Sequence, residues 1–367
     1  MKQRIITAKD DYQELDAWIG DKRVFLVCDP SLQYLTGIKT HLEALEQAGK
    51  RIVRFSDFKP NPLYSSVAEG VERFHAESCE AIMAVGGGSA MDVAKCIKLF
   101  SNMDRSKNYL QQAIVPNSIP FLAMPTTAGT GSEATRYAVI YFEGKKQSVT
   151  HESCIPTVVL MDSGALRTLP DYQKKATMLD ALCHAIESYW SVNSTEESKA
   201  YSREAIKQIM SSMKGYLGNT DEGNAGMLLA ANTAGKAINI TQTTAGHAMC
   251  YQITSLFGCA HGHAAALCVR KLFPWMIENL DLCIDPRGKE YLSATLNEIA
   301  EAMGCKVPAS ASSQFEQLIV DLGLTIPTAT EEQFALLKTS VNPVRLKNHP
   351  IALNEEAIDQ LYHEILR

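Results

Sequence analysis

The sequence has no excess of basic residues and no long apolar run. Its 367 residues carry 35 Lys and Arg against 41 Asp and Glu, a formal net charge of −6. Nucleic-acid phosphates are bound by clustered positive charge, which this balance does not supply. No stretch approaches the roughly 18 consecutive apolar residues of a membrane-spanning helix. We therefore expect neither a nucleic acid nor a membrane among its partners.

Closely paired cysteines are also lacking. The chain has ten cysteines, but no two are spaced Cys-x-x-Cys. Five of them lie inside apolar runs, where a free thiol behaves as a small hydrophobic group: Cys28, Cys79, Cys96, Cys183 and Cys268. No apolar stretch follows the basic start Met1–Ile5, so we expect no signal peptide. Reduced, buried thiols and a cytoplasmic location are predicted.

The chain divides into two halves of different character. Strands are predicted at residues 24–28, 51–55, 81–85, 121–124 and 158–161, alternating with helices such as 32–48 and 64–77. This alternation is typical of a parallel sheet with helices on both faces. After Pro170, helices are predicted at residues 172–192, 196–215, 222–239, 243–257 and 263–279. We predict an α/β domain over residues 1–168 and an all-helical domain over residues 169–367.

A run of glycines follows the third predicted strand. Gly86, Gly87, Gly88 and Ser89 lead into a helix that contains Asp92. Glycines let backbone N–H groups approach a ligand closely, and the positive helix N-terminus favours a pyrophosphate. The alternative is a tight turn in which Ser89 is only the helix N-cap. The spacing is not G-x-G-x-x-G, so this is not an ordinary Rossmann fingerprint.

Polar groups also follow two other predicted strands. Residues 125–133 read PTTAGTGSE, a loop whose hydroxyl groups, including those of Thr126, Thr127 and Ser132, can bind a polar ligand. A Ser/Thr-rich turn that caps a helix is the alternative. Asp29 ends the first predicted strand, where a carboxylate can accept from an adenosine ribose hydroxyl and repel a 2′-phosphate. Alternatively, Asp29 is an aspartate that only closes a turn or caps a helix.

Four residues of the helical half resemble a metal-ligand set. Asp180 and His184 lie four apart on one face of a predicted helix, within an otherwise apolar face. His247 and His261 each lie near the start of a later helix, among small apolar residues. One carboxylate and three imidazoles suit Fe²⁺, with Zn²⁺ as the alternative. A hydrogen-bonded Asp–His pair with unrelated histidines is the competing interpretation.

Together these motifs resemble the iron-containing, or group III, alcohol dehydrogenase family. The segments GGGSAMDVAK, PTTAGTGSEAT, DALCHAIESYWS and HAMCYQITSLFGCAHGHAAAL occur in that family's order and spacing. The resemblance implies a dehydroquinate synthase-like fold, with an N-terminal dinucleotide-binding domain, a helical metal-binding and substrate domain, and an active site in the cleft between them. It implies NAD(P)(H)- and metal-dependent hydride transfer between a small alcohol and its aldehyde. In similar proteins a homodimer or larger homo-oligomer is common.

The resemblance also assigns roles by position. Asp180, His184, His247 and His261 would hold the metal. The dinucleotide would contact Asp29, Gly86, Gly87, Gly88, Ser89, Asp92, Thr126, Thr127, Gly131 and Ser132. Asp29 falls where members that favour NAD(H) over NADP(H) carry an aspartate.

One position departs from the family pattern. Many members carry a further histidine four residues after the third ligand, often given a proton-relay role, and this chain has Tyr251 there. Besides the ligand His261, Tyr251 and His263 are therefore the candidate catalytic residues. A tyrosine can also transfer a proton.

A narrower similarity bears on the substrate. The segments around residues 180–195, 247–268 and 341–348 resemble the phosphonoacetaldehyde reductase branch, which makes 2-hydroxyethylphosphonate. An anionic substrate requires a cationic partner, for which Arg136, Arg345 and Lys347 are candidates. A surface charge is the commoner explanation for each.

Two other function classes compete with a dehydrogenase. A lyase or cyclase of the 3-dehydroquinate synthase type would share the fold, NAD and the metal, but would show no net NADH formation. A non-enzymatic metal- or nucleotide-binding regulator is the other alternative. The spacing of Asp180 and His184 and the segment HAMCYQ favour the dehydrogenase.

Overall fold

The structure is a computed structural model that describes residues 3–8, 11–341 and 343–366. The chain forms two compact units. The N-terminal unit comprises the described residues up to Leu169 together with Asn219–Leu228, and the C-terminal unit comprises Pro170–Gly218 and the described residues from Leu229 onward. The sequence predicted a domain boundary after residue 168 but did not predict that a later segment returns to the N-terminal unit. Asn219–Leu228 joins the N-terminal unit, where Asp221 pairs with Arg167 at 2.6 Å.

The strands of the N-terminal unit are β1 Arg4–Thr7, β2 Val24–Cys28, β3 Ile52–Phe55, β4 Ala81–Gly86, β5 Phe121–Pro125, β6 Tyr137–Phe142, β7 Lys145–Thr150 and β8 Val158–Met161. Six of them form a parallel sheet in the order β1-β8-β5-β4-β2-β3. The other two, β6 and β7, pair antiparallel. The predicted parallel sheet is confirmed, but β1 and the β6–β7 pair were not predicted.

The central strands are continuous apolar runs because both faces of the sheet are covered. Every residue of β2, β4 and β5 is buried. Alternate residues enter separate clusters: Phe25 and Ile82 pack on one face, and Leu26 and Met83 on the other. This pattern is typical of a parallel sheet between two helical layers. Among the described residues, four helices lie entirely in this unit: α1 Gln13–Ile19, α2 Thr36–Gln47, α3 Tyr64–Ala76 and α4 Gly88–Phe100.

The C-terminal unit is built from helices, as predicted. Helix α5 (Asp171–Trp190) ends in a long buried run, in which every residue from Met178 to Trp190 is buried. The remaining helices of the described chain are α5 Asp171–Trp190, α6 Glu196–Leu217, α7 Asp221–Thr241, α8 Ala245–Phe257, α9 His261–Glu278, α10 Lys289–Ala302, α11 Pro308–Asp321, α12 Glu331–Ser340, α13 Pro343–Leu346 and α14 Glu355–Ile365. In the part of the chain that the structure describes, no helix is long and apolar enough to cross a membrane.

A buried histidine beside α5 makes stability dependent on pH. His349 is fully buried against the Trp190 ring, and neither ring nitrogen has a hydrogen-bond partner among the described residues. Burial lowers the pKa of His349 to about 4. The unfolded chain takes up this proton near pH 6.5, so the stabilisation is present above that pH and is lost as pH falls towards 4.

We therefore expect His349→Leu to flatten the pH dependence of unfolding. Between pH 7 and pH 4 the wild-type protein should lose about 3 kcal/mol more than the variant, because 2.5 pKa units separate the folded and unfolded histidine. Urea unfolding at both pH values measures this difference. Parallel pH profiles for the two proteins would show that His349 titrates normally in the fold.

Candidate active site

The carboxyl ends of three neighbouring strands bring the predicted dinucleotide residues to one edge of the sheet. Cys28 of β2 pairs with Val85 of β4, and Gly86 of β4 pairs with Pro125 of β5. Asp29, the glycine run and Thr126 follow directly at that edge. The polar ends of parallel strands are where open α/β sheets bind ligands.

The glycine run allows a close approach between chain segments. A Cβ on Gly86 would lie 2.7 Å from Oδ2 of Asp29 and 2.6 Å from Cβ of Ala90, so no larger residue fits there. Helix α4 begins at Gly88, and none of the described side chains caps it. Ser89 lies inside its first turn, so the alternative that Ser89 is the N-cap is wrong. The partly exposed start of α4 suits a pyrophosphate.

The threonine-rich loop is tied to the same strand end. The Thr126 N–H donates to the Gly86 carbonyl at 3.0 Å, and the Ser132 N–H donates to Oγ1 of Thr130 at 3.2 Å. Gly131 has a positive φ of 57°, which glycine adopts without strain. Thr127 is partly exposed beside Gly87. The loop is thus held by a hydrogen bond to the end of β4 and by one within itself, and Thr127 and Thr130 are its partly exposed hydroxyl residues.

Lys95 holds this loop, and sequence analysis missed it. Its fully buried ammonium group donates to Oγ of Ser132 at 3.0 Å, Oγ1 of Thr135 at 3.1 Å and the Tyr137 carbonyl at 2.7 Å. The only signal was a lysine inside the apolar face of α4. The Ser132 hydroxyl also donates to Asp92 at 3.2 Å. Desolvation raises the pKa of Asp92 to about 6, against the opposing charge of Lys95.

In the C-terminal unit, three predicted metal ligands converge. Asp180 of α5, His247 of α8 and His261 at the start of α9 each offer a donor atom, and these atoms lie within 4.8 Å of one another. His184, one turn after Asp180, lies beside them: its Nε2 is 3.9 Å from Oδ1 of Asp180, and its ring stacks on that of His247 at 4.5 Å. The carboxylate and imidazole donors could hold a divalent Fe or Zn.

A close helix crossing makes this convergence possible. Gly262 is the second residue of α9, and a Cβ there would lie 2.1 Å from the Ala176 carbonyl and 2.5 Å from Cβ of Asp180. The first turn of α9 therefore touches α5 directly. Only glycine lets His261 come this near to Asp180.

The cluster is electrostatically coupled. Burial raises the pKa of Asp180, but the neighbouring imidazoles, His184 first, outweigh it and hold the pKa below its usual range. Burial alone would lower the pKa of His247, but the charges of Glu187 and then Asp180 raise it to about 9. The ionised Asp180 carboxylate supplies the negative charge that a bound cation requires, and a metal that binds at His247 would displace a proton from its ring.

Glu187 is a second residue that sequence analysis missed. It is fully buried on α5, and its Oε2 accepts from Nδ1 of His247 in a short hydrogen bond. Burial raises the pKa of Glu187, but His247 and Thr244 outweigh it and lower the pKa to about 2. The sequence placed Glu187 within the DALCHAIE segment, but its partners are 57 and 60 residues away.

The candidate proton-transfer residues have different surroundings. The Tyr251 ring stacks on the His261 ring at 5.5 Å, and Nδ1 of His261 is 3.6 Å from Sγ of Cys250. Burial raises the pKa of Tyr251 to about 12, with the charge of Arg345 opposing it. His263 is buried, and its Nδ1 lies 3.1 Å from the Tyr172 hydroxyl.

The three candidate cations differ as well. Arg136 forms an ion pair with Glu152 at 2.6 Å, and Lys347 is exposed. Arg345 is partly buried, and its Nη1 donates to Oγ1 of Thr243 at 3.1 Å. Thr243 lies just before α8, the helix that carries His247 and Tyr251. Asn342, in the segment 341–348, lies outside the described residues.

Family comparisons cover both units. A profile described as "Iron-containing alcohol dehydrogenase" matches residues 2–163, and one described as "Fe-containing alcohol dehydrogenase family, C-terminal" matches residues 174–366. The chain belongs to the iron-containing alcohol dehydrogenase family. It is a metal-dependent, NAD(P)-linked oxidoreductase that acts on an alcohol or aldehyde. The family match favours this class over the lyase alternative.

Individual relatives agree with this family. Phosphonoacetaldehyde reductase of Streptomyces viridochromogenes is 30% identical over 315 residues, covering 82% of this chain and 79% of the relative. The crystal structure of sulfoacetaldehyde reductase from Bifidobacterium kashiwanohense in complex with NAD+ is 25% identical, with a TM-score of 0.86, and covers 99% of this chain and 97% of that chain. An iron-containing alcohol dehydrogenase from Thermococcus thioreducens shares the fold, with a TM-score of 0.88 at 22% identity, covering 100% of this chain and 98% of that chain.

Proposed function

We propose that this enzyme reduces a small aldehyde carrying a phosphonate or sulfonate group, with NADH as the hydride donor. The observation that carries this proposal is Arg345, a partly buried cation of α13 whose guanidinium contacts Thr243, just before the helix that holds His247 and Tyr251. The names of the phosphonoacetaldehyde and sulfoacetaldehyde reductases among its relatives support the same substrate class. A cytoplasmic location and a homo-oligomeric state remain predictions.

The metal-binding residues in this proposal are Asp180, His184, His247 and His261. Their oxygen and nitrogen donors suit Fe²⁺, with Zn²⁺ as the alternative. Such a metal, when bound, supplies Lewis-acid polarisation of a carbonyl. The chain itself contributes the placement of those donors and the exclusion of water around them, since Asp180, His184 and His247 are all buried.

Arg345 differs from the other two cations in its availability for an anion. The charge of Arg136 is offset by Glu152, and the exposed charge of Lys347 is screened by water. The Arg345 guanidinium is held by a neutral hydroxyl, so its charge is not cancelled by that contact. A guanidinium can also bind two oxygens of a phosphonate or sulfonate at once.

The preference for NADH rests on Asp29. Its Oδ1 accepts from the Ser31 N–H at 2.8 Å, and its Oδ2 faces Gly86. These contacts hold a carboxylate beside the glycine run, where it can accept from a ribose hydroxyl. The same charge disfavours the 2′-phosphate of NADPH.

Substrate comparison tests this proposal. The metal-reconstituted enzyme should oxidise NADH with phosphonoacetaldehyde or sulfoacetaldehyde at a kcat/KM about a hundredfold above that with propanal. With the same aldehyde, it should oxidise NADH faster than NADPH. Arg345→Met should remove most of that preference because charge-assisted contacts contribute about 1.5–3 kcal/mol. Arg136→Met is the matched control and should retain it. Equal turnover of propanal by the wild-type enzyme would refute the anionic substrate.

Tyr251 is the proposed proton donor for the reduction. Because its pKa is about 12, its hydroxyl is protonated at neutral pH. We expect Tyr251→Phe to lower kcat for aldehyde reduction about a hundredfold, the usual contribution of a positioned acid. Metal content and NADH affinity should be unchanged. His263→Gln is the comparison, and a larger loss in that variant would assign the proton transfer to His263.

A further inference from the structure

Glu187 holds the start of α8 through Thr244 and His247. Its Oε1 lies 3.1 Å from the Thr244 N–H, 2.7 Å from the Thr244 hydroxyl and 3.3 Å from the His247 N–H. Its Oε2 accepts from Nδ1 of His247. A Cβ on Gly246 would lie only 2.9 Å from Oε1, so the glycine in this turn leaves room for the carboxylate. A negative charge is also stabilised at a helix N-terminus.

The hydrogen bonds extend from Glu187 through Thr244 to Trp190, and each donates towards Glu187. Nε1 of Trp190 lies 2.9 Å from Oγ1 of Thr244. An indole N–H can only donate, so the Thr244 hydroxyl must give its own proton to Glu187. Trp190, Thr244, Glu187 and His247 are all buried, with exposures of 2% or less. Water does not compete for these contacts.

These hydrogen bonds decide which nitrogen of His247 can bind a metal. An ionised carboxylate accepts only, so the Nδ1 position of His247 carries the hydrogen. Nε2 is then the nitrogen whose lone pair a metal would bind, and it lies 3.3 Å from Oδ1 of Asp180. A carboxylate behind a ligating imidazole also increases its basicity and fixes its ring.

We propose that Glu187, supported by Thr244 and Trp190, is the positioning residue that sets the metal affinity of His247. This inference rests on the proposed ligand set of Asp180, His184, His247 and His261. It assigns no contact with substrate to Glu187. Its effect reaches the metal only through the imidazole.

The test is metal affinity, measured without turnover. Glu187→Gln should raise the Kd for Co²⁺ or Zn²⁺ ten- to a hundredfold in chelator competition, since a loss of that size is typical of such outer contacts. The Co²⁺ absorption spectrum should change because the ring is no longer fixed. Glu298→Gln is the matched control: Glu298 is a carboxylate of the same unit that pairs with Lys199 and Tyr189, and its loss should leave the Kd unchanged.

A second variant guards against misfolding. Thr244→Val replaces the hydroxyl that links Trp190 and Glu187 with a methyl group of similar size and should raise the Kd about three- to tenfold, while thermal unfolding of the metal-free protein shows whether each variant folds. Wild-type affinity and spectrum in a folded Glu187→Gln protein would overturn the inference. If wild-type affinity persists in His184→Ala and His261→Ala, the ligand set itself is wrong, which is a distinguishable outcome.

Discussion

His261→Ala should lose bound metal and lower turnover at least about a thousandfold, while dinucleotide binding persists. His261 is one of three residues whose donor atoms lie within 4.8 Å of one another. Removing it leaves a buried carboxylate and two imidazoles without their fourth partner. A thousandfold loss corresponds to about 4 kcal/mol of transition-state stabilisation, within what a Lewis-acid metal supplies.

Two measurements on the same protein check this result. Metal content after reconstitution should fall well below one per chain, and NADH fluorescence titration should give an unchanged Kd, because the glycine run belongs to the other unit. His363→Ala is the matched control, since His363 stacks on Phe334 at 3.8 Å and should affect neither quantity. Near-wild-type rates from the metal-free variant would contradict the metal assignment.

Gly262→Ala should weaken metal binding about a hundredfold although it alters no ligand. The added methyl would lie 2.1 Å from the Ala176 carbonyl and 2.5 Å from Cβ of Asp180, so α9 must move away from α5. His261, its first residue, moves with it and leaves the other donors. Overpacking of this kind also costs about 1–3 kcal/mol of unfolding free energy.

Gly304→Ala separates this contact from ordinary glycine effects. Gly304 has a φ of 81°, and no described atom outside its chain neighbours lies within 4 Å of the place that a methyl group would take, so alanine there is strained but not crowded. It should reduce stability by about 1 kcal/mol and leave the metal Kd unchanged. Chelator competition and urea unfolding compare the two variants. An unchanged metal Kd in Gly262→Ala would mean that α9 is not positioned by this crossing.

Sequence patterns predicted those strands and helices whose burial shows in the sequence itself, as a continuous apolar run or as a helical period of apolar residues. The fully apolar runs of β2, β4 and β5 and the periodic helix α5 were therefore predicted closely. Strand β1 was missed because only Ile6 of its four residues is buried, and β7 was missed because its sequence KKQSVT is mostly exposed. Those strands exist because β8 and β6 supply their hydrogen-bond partners.

The candidate site shows the same division. Local patterns were enough to single out Asp180, His184 and the glycine run, because Asp180 and His184 share a helix face and the glycine run ends a strand; their binding of a metal and a dinucleotide stays a prediction. What surrounds them depends on tertiary contacts: Glu187 behind His247, Lys95 within the threonine-rich loop, and the space that requires Gly262. The cause is distance along the chain. The buried charges of Lys95 and Glu187 and the glycine at position 262 are each explained by the residue they contact. Those contacts lie 37 to 86 residues away along the chain, beyond any local pattern.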